Sequence, residues 1–265
     1  MNNVALGQYM PLDSVVHKMD PRSKIMIMLF LMVAIFIPAG ALGYVVIGIF
    51  ILLSLYLSKL NIKYALRTMK PMLWMMAFLL VINLLVIKTG TPLFSIKGFT
   101  IYSDAVNQTL YIVVRLMLMV IITTVLTATT KPLDLTLGIE KLLKPFEKIG
   151  VPAHIIAMMI SIALRFIPTL IEETQRIMNA QASRGVDLEN GSIKEKIMAI
   201  LSLIVPLFVS AFDRADQLAN AMEARGYDPS RQRTRYKVLK MQTMDYASMA
   251  LSVVVLCACI GIWVL

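Results

Sequence analysis

Two arginines carry the clearest chemistry in this chain. Arg184 and Arg225 occupy the same place in a nine-residue pattern, Asn-Ala-x-x-(Ser/Ala)-Arg-Gly-(Val/Tyr)-Asp, which runs Asn179–Asp187 and again Asn220–Asp228. Asn, Ala, Arg, Gly and Asp recur in register, with Ser183 and Ala224 as a near match. A guanidinium holds five donors in a planar fork that suits carboxylates or carbonyls of another chain. It neither attacks nor exchanges protons at neutral pH, so the chemistry is recognition. A single Arg-Gly would read as an ordinary helix stop, because glycine favours the position past a helix end and a cation there complements the dipole. A matched pair argues for a shared task.

The remaining reactive inventory is thin. His17 and His154 have no second ligand at useful spacing, and no Gly-x-x-x-x-Gly-Lys-(Ser/Thr) phosphate loop occurs. Cys257 and Cys259 lie in the last apolar run, in a spacing that is neither a redox nor a zinc signature. No nucleophile can be paired with a base. The expectation is a chain that binds no cofactor or metal and performs no reaction itself.

The elements that position the arginines follow from composition. Of 265 residues, 58% are hydrophobic and 16% charged, against about 25% charged in soluble domains. That marks an integral membrane protein. The net charge of +10 reflects basic loops at the membrane rather than a nucleic-acid partner. The first 24 residues lack the apolar core of a cleavable signal.

Five stretches read as spans, given that roughly 20 apolar residues cross a bilayer core. They are Ile25–Ile37 and Ala41–Leu57, joined by a tight turn at Pro38-Ala39-Gly40, then Pro71–Ile87, Leu110–Ala128 and Met244–Leu265. Ser58–Lys70 and Pro229–Lys240 are rich in Lys and Arg without an acid, which places both, with the N-terminus, in the cytoplasm. The expected domains are 1–130 with four spans, 131–239 as a cytoplasmic-side domain, and 240–265 as the last span. The fold class is an all-α membrane protein with about five transmembrane helices plus one short and two long amphipathic helices.

Those amphipathic helices lie between Lys131 and Arg235. Leu133–Ile149 is the short one, stopped by Gly150 and Pro152. In the first long helix Leu170, Ile171, Thr174, Ile177 and Met178 form one stripe, opposite Glu172, Glu173, Gln175 and Arg176. In the second, Ala211, Ala215, Leu218 and Met222 oppose Asp213, Arg214, Asp216, Asn220 and Glu223. Ala180, Ala182, Ala219 and Ala221 permit a close helix crossing. Ala153–Ile167 is short for a span and contains Arg165, while Ile197–Phe212 contains Pro206. If both crossed, the two Arg-Gly copies would lie in different compartments, so both helices are expected along the inner face of the membrane.

At these residues the chain resembles the T-component of energy-coupling-factor transporters. The resemblance rests on Ala182-Ser183-Arg184-Gly185 and Glu223-Ala224-Arg225-Gly226, with support from His17–Lys24 before the first span and Leu164-Arg165-Phe166-Ile167-Pro168. It covers essentially the whole chain. It implies a non-catalytic scaffold in the cell membrane, joining two cytosolic ATP-binding-cassette ATPases to a small substrate-binding membrane subunit that takes up a vitamin or metal ion. ATP and magnesium would belong to the partner ATPases. Ser183, Arg184, Gly185, Ala224, Arg225 and Gly226 would engage the ATPases. The apolar faces, including Met158, Met159, Leu170, Ile171, Met178, Leu218 and Met222, would cradle the substrate-binding subunit.

Other readings stay open at this point. A conventional permease would carry a Glu-Ala-Ala-x-x-x-Gly loop, which Glu223-Ala224-Arg225-Gly226 begins and then leaves. A stand-alone secondary transporter would show broken helices and repeats at mid-membrane, whereas the repeat here is in the cytoplasmic-side segment. The 20 methionines suit surfaces that repack against exchanging partners, and equally fill gaps in an apolar protein. Arg115, and more weakly Asn83, stand within spans, where a polar group either has a function or pairs with a neighbouring helix.

Overall fold

The computed structural model describes residues 9–96, 99–150, 152–186, 192–228 and 239–264. In chain order the helices are α1 (Val15–Lys18), α2 (Pro21–Phe36), α3 (Gly40–Leu57), α4 (Ile62–Val86), α5 (Ser103–Thr129), α6 (Pro132–Leu143), α7 (Ala153–Ser183), α8 (Ile193–Ala224) and α9 (Thr243–Val264). The five spans expected from sequence correspond to α2, α3, α4, α5 and α9. Among the described residues six helices are long and apolar enough to cross a membrane, namely α3, α4, α5, α7, α8 and α9. The chain is a multi-pass membrane protein. These six differ from the five expected spans at two places: α2, at 16 residues, is not among them, and α7 and α8, expected as the two long amphipathic helices, are, running 31 and 32 residues through Pro168 and Pro206.

Three further differences are local. The basic stretch after α3 is not all loop, because Asn61 accepts a hydrogen bond from the Lys63 N–H at 3.0 Å and starts α4 there. The connection from α4 to α5 contains a small antiparallel hairpin, β1 (Pro92–Ile96) and β2 (Phe99–Tyr102). The short amphipathic piece divides at Lys144, where α6 gives way to a 3-10 turn, Lys144–Ile149, that ends at Gly150 with φ 90°. The Pro145 ring cannot donate the next helical hydrogen bond.

The chain forms two compact units, Met1–Ile139 with Leu239–Leu265, and Glu140–Val238. In the first, α2 and α9 run parallel and α3 and α5 run against them. Its core joins Leu31, Ala34 and Ile35 of α2, Ile47, Phe50 and Ile51 of α3, Ile122 of α5, and Val255 and Cys259 of α9. Lipid is as apolar as these side chains, so packing rather than dehydration holds the helices together. Fully buried Ser23, Ser252 and Ala34 permit the close approach. Gly138 of α6 lies against the start of α2, where a Cβ would stand 3.1 Å from both Ile25 and Pro21. Antiparallel α4 and α5 are pinned at one level by Asn83 Nδ2 donating to Thr109 Oγ1 at 3.0 Å, which gives Asn83 a neighbouring-helix partner.

The polar groups of this unit gather at the helix ends. Asp20 caps α2, with Pro21 in the first turn, and its side chain accepts from the Arg22 N–H. Arg22 also forks onto the Asp20 carboxylate at 3.1 and 2.9 Å and donates to the Leu239 carbonyl. Burial works against the Asp20 carboxylate, yet the Arg22 side-chain and backbone hydrogen bonds more than offset it and hold its pKa below the ordinary value. Asp245, in the first turn of α9, is 1% exposed and accepts from three donors: Asp20 N–H (2.9 Å), Ser23 Oγ (2.9 Å) and Gln242 N–H (2.7 Å). Lys24 is buried and donates to the Thr129 carbonyl and Thr130 Oγ1 at 3.0 and 3.2 Å, so a cation closes the C-terminal end of α5.

Asp245→Ala is therefore expected to remove the side-chain acceptor of the Asp20 and Gln242 N–H groups and one of the two acceptors within reach of Ser23 Oγ. The loss should be about 2–4 kcal/mol, since bonds to a charged acceptor contribute roughly 1.5–3 kcal/mol each and are not additive. Thermal unfolding of the purified protein in detergent would read this as a clear drop in midpoint. Asp245→Asn, which retains an acceptor oxygen, should lose less.

Candidate functional site

The second unit is built on α7 and α8. Arg214 of α8 pairs with Glu173 of α7 at 3.1 Å, and Gln181 Nε2 donates to the Ser202 carbonyl at 3.1 Å. Residue numbers rise along one helix as they fall along the other, so the pair is antiparallel. At its start α8 carries a full capping box, in which Ser192 and Glu195 satisfy each other's backbone N–H groups.

Both helices end in the same way. Arg184 and Arg225 are the last residues before the chain turns, with φ/ψ of −87°/3° and −87°/8°. The next residues, Gly185 and Gly226, take φ of 85° and 70°. Gly185 N–H bonds the Ala182 carbonyl at 3.0 Å and Val186 N–H the Gln181 carbonyl at 3.1 Å. The second copy repeats this, with Gly226 N–H to Glu223 at 2.8 Å and Tyr227 N–H to Met222 at 3.0 Å. These paired bonds are the Schellman closure of a helix, which needs a left-handed residue at the position the glycine fills. The repeated sequence is thus one three-dimensional cap made twice.

The cap turns each arginine outward. Ser183, Arg184, Gly185, Ala224, Arg225 and Gly226 are all exposed. Neither guanidinium has a hydrogen-bond or ion-pair partner among the described residues. A Cβ at Gly185 or Gly226 would meet nothing within 4 Å, so conformation alone requires the glycine. Asn179 is held by Gln175 and accepts from Ser183 Oγ through its carbonyl. Asp187 lies outside the described residues. Because α7 and α8 are antiparallel, the tips sit at opposite ends of the pair. Arg225 stands about 35 Å along α8 from the level of Ser202, beside which α7 ends, at 1.5 Å per residue. The structure does not bring the two arginines together; it holds them apart on one unit.

The residues expected to form an apolar cradle are divided. Met159 and Ile171 are exposed, whereas Met158, Leu170, Met178, Leu218 and Met222 are half-buried. A larger apolar face lies on the first half of α8: Ile193, Ile197, Ile200, Leu201, Ile204, Val205, Phe208, Val209 and Phe212 are each 45–80% exposed. They recur three or four residues apart on the side away from Ala199 and Ser202, the side packed towards α7. Phe208 and Phe212 meet edge to face at 4.9 Å. The stripe legible in sequence, Ala211, Ala215, Leu218 and Met222, lies beyond Pro206 and misses this face. The three-and-four spacing from Ile193 onwards was the available signal.

The chain is similar to known membrane transport proteins. The family model described as cobalt transport protein (CbiQ) matches residues 13–236. An energy-coupling factor transporter transmembrane protein EcfT of Clostridium kluyveri is 44% identical over 260 residues, covering 97% of this chain and 96% of the relative. Proteins of the same name from Lactococcus lactis subsp. cremoris and Bacillus subtilis are each 40% identical, over 263 and 258 residues. The first alignment covers 99% of this chain and 98% of the relative, and the second 97% of each.

Gly185→Ala and Gly226→Ala should each loosen one tip without disturbing the packing beneath it. A side chain in the left-handed region costs about 1–2 kcal/mol. Hydrogen exchange read by mass spectrometry should therefore show faster exchange at residues 183–186 in the first variant and 224–227 in the second. Exchange in α2, α3 and α9 should stay unchanged.

Proposed function

The chain belongs to the family of transmembrane components of energy-coupling-factor transporters, and from that premise we propose that it is the coupling scaffold of an ATP-driven micronutrient importer. Two cytosolic ATP-binding-cassette ATPases engage the Arg184 and Arg225 tips, one tip each. A separate small membrane subunit, resting on the apolar faces of α7 and α8, binds the vitamin or metal ion. The observation that carries this reading is the pair of identically capped, exposed guanidiniums at opposite ends of one antiparallel helix pair. Two like plugs set tens of ångströms apart suit two like sockets on separate subunits.

The mechanism follows from rigidity. Each guanidinium can fork onto a carboxylate or helix-end carbonyls in an ATPase groove. The Schellman closure fixes the direction in which it leaves the helix, so motion of the ATPase passes to the helix rather than being absorbed by a loose end. When the ATPases bind ATP and magnesium and close, the tips move with them. The Arg214–Glu173 and Gln181–Ser202 contacts resist slippage of α7 over α8, and the pair shifts as a body. The exposed face of α8 then carries its bound subunit along. Hydrolysis takes place in the ATPases, and this chain contributes no group to it.

The same reading sets the orientation. Lys59, Lys63, Arg67 and Lys70 cluster where α3 gives way to α4, so that end of the first unit faces the cytoplasm. Both α7 and α8 lie along the inner face of the membrane. By length and composition either helix could cross, but an antiparallel pair that crossed would send its two tips to opposite sides.

Arg184→Ala combined with Arg225→Ala tests the proposal. The double variant should insert and fold as the parent does, yet lose ATP-driven uptake in cells or proteoliposomes bearing the complete complex. Each single variant should fall at least tenfold, since truncating one desolvated charge contact costs about 2–5 kcal/mol. Parental uptake by the double variant would overturn the proposal.

A further inference from the structure

Arg115 lies in α5 and belongs to neither tip. Its Nε and one Nη both donate to the Tyr44 hydroxyl, at 3.1 and 2.9 Å. The guanidinium carbon stands 5.7 Å from the centre of the Phe36 ring. Tyr111, one turn earlier on α5, lies 5.8 Å from the Tyr44 ring, tilted by 38°. Two neutral aromatic residues therefore hold the cation in place, and no carboxylate pairs with it among the described residues. The phenol oxygen has no more lone pairs to offer. The other Nη group and the remaining hydrogen of the first are left for a further acceptor.

The level of this group in the bundle identifies that acceptor. Phe36 is the last residue of α2, and Tyr44 is about one turn into α3. The guanidinium thus stands roughly a turn below the Ile37–Ala39 connection. A helical hairpin returns at the headgroups, because its free backbone groups need a polar layer. Tyrosine at this level fits the aromatic belt of a membrane protein. The surrounding side chains are apolar and outward-facing: Leu42, Val45 and Leu110 are 69%, 56% and 60% exposed. Acyl chains would lie along them. An uncompensated cation at this depth calls for an anion, and the anion already present at that height is a lipid phosphodiester. Its two unesterified oxygens match the planar guanidinium fork.

We infer that Arg115, oriented by Tyr44 and flanked by Tyr111, binds the phosphate of one membrane phospholipid at the α2–α3 hairpin end of the bundle. A net-negative headgroup is preferred, because it supplies the missing charge. This site is independent of the coupling role of the tips and stands or falls separately from it.

The test titrates dioleoyl phosphatidylglycerol onto the purified full-length chain in detergent, with native mass spectrometry as the readout. The parent should retain one tightly held lipid per chain, and dioleoyl phosphatidylcholine should bind more weakly. Arg115→Gln should weaken that first binding event by about tenfold, corresponding to the loss of one charge-assisted contact. Arg115→Lys should fall between. Tyr44→Phe, which retains the ring but no longer orients the guanidinium, offers a second arm if Arg115→Gln does not fold: its thermal midpoint should rise less with added phosphatidylglycerol than the parent's. Equal lipid binding by parent and Arg115→Gln, or a Tyr44→Phe midpoint raised by lipid as much as the parent's, would overturn the inference. So would Arg115→Gln releasing a partner subunit from the assembled complex while its lipid adducts stay at parental level, because the counter-ion would then be a protein carboxylate.

Discussion

A helix in hydrocarbon must satisfy its own backbone, since neither water nor a sheet partner is there to do so. That constraint displaces ionic chemistry from the middle of each span to its ends. The last carbonyls of α5 meet Lys24, the first N–H groups of α2 meet Asp20 and Asp245, and the last carbonyls of α7 and α8 fold back into glycine-closed caps. Polar side chains within the spans are mostly small and turned onto their own helix. Thr109, Thr123, Thr124 and Thr129, for example, each donate to a carbonyl four residues earlier. The contacts that distinguish this chain from a generic bundle therefore concentrate at helix termini.

Within that scheme the two tips share one geometry that the proposed coupling role would use. A guanidinium on a flexible loop would bind but would not push. A guanidinium at a helix end has its exit angle set by two hydrogen bonds and one left-handed residue. The bonds at Gly185 and Gly226 agree in donor, acceptor and length to within a few tenths of an ångström. The sequence repeat thus preserves a geometry as well as a residue type. The antiparallel packing of α7 on α8 then converts two equivalent caps into two sites facing apart, a relation a parallel pair would not produce.

Much of this was legible in the residues alone, and the reasons divide cleanly. Local signals carried well: Gly150 predicted a stop, and the Arg-Gly repeats predicted helix ends, because each depends on a few neighbouring residues. Long-range pairing did not carry. Asp245 reads as an unremarkable acid at the start of the last span, and only folding brings it to Ser23 and to the Asp20 N–H, 222 and 225 positions away. Arg115 was visible as an intramembrane charge, but nothing in its surroundings in sequence pointed to Tyr44, 71 residues earlier. The β1–β2 hairpin was also missed, since Pro92–Tyr102 is too short and mixed to show a strand period.

The apolar face of α8 is the most instructive omission. A proline in mid-helix normally breaks the hydrogen-bond ladder, and the stripe legible in sequence is the one beyond Pro206, at Ala211, Ala215, Leu218 and Met222. The helix continues through it, and Ile193, Ile197, Ile200 and Ile204 before the proline align with Phe208 and Phe212 after it. In lipid or against another apolar subunit, the lost backbone bond is the only penalty, and neighbouring groups can make it good. For the proposed coupling role a continuous face matters more than an ideal helix, because a lever must present one surface along its length if it is to carry a load.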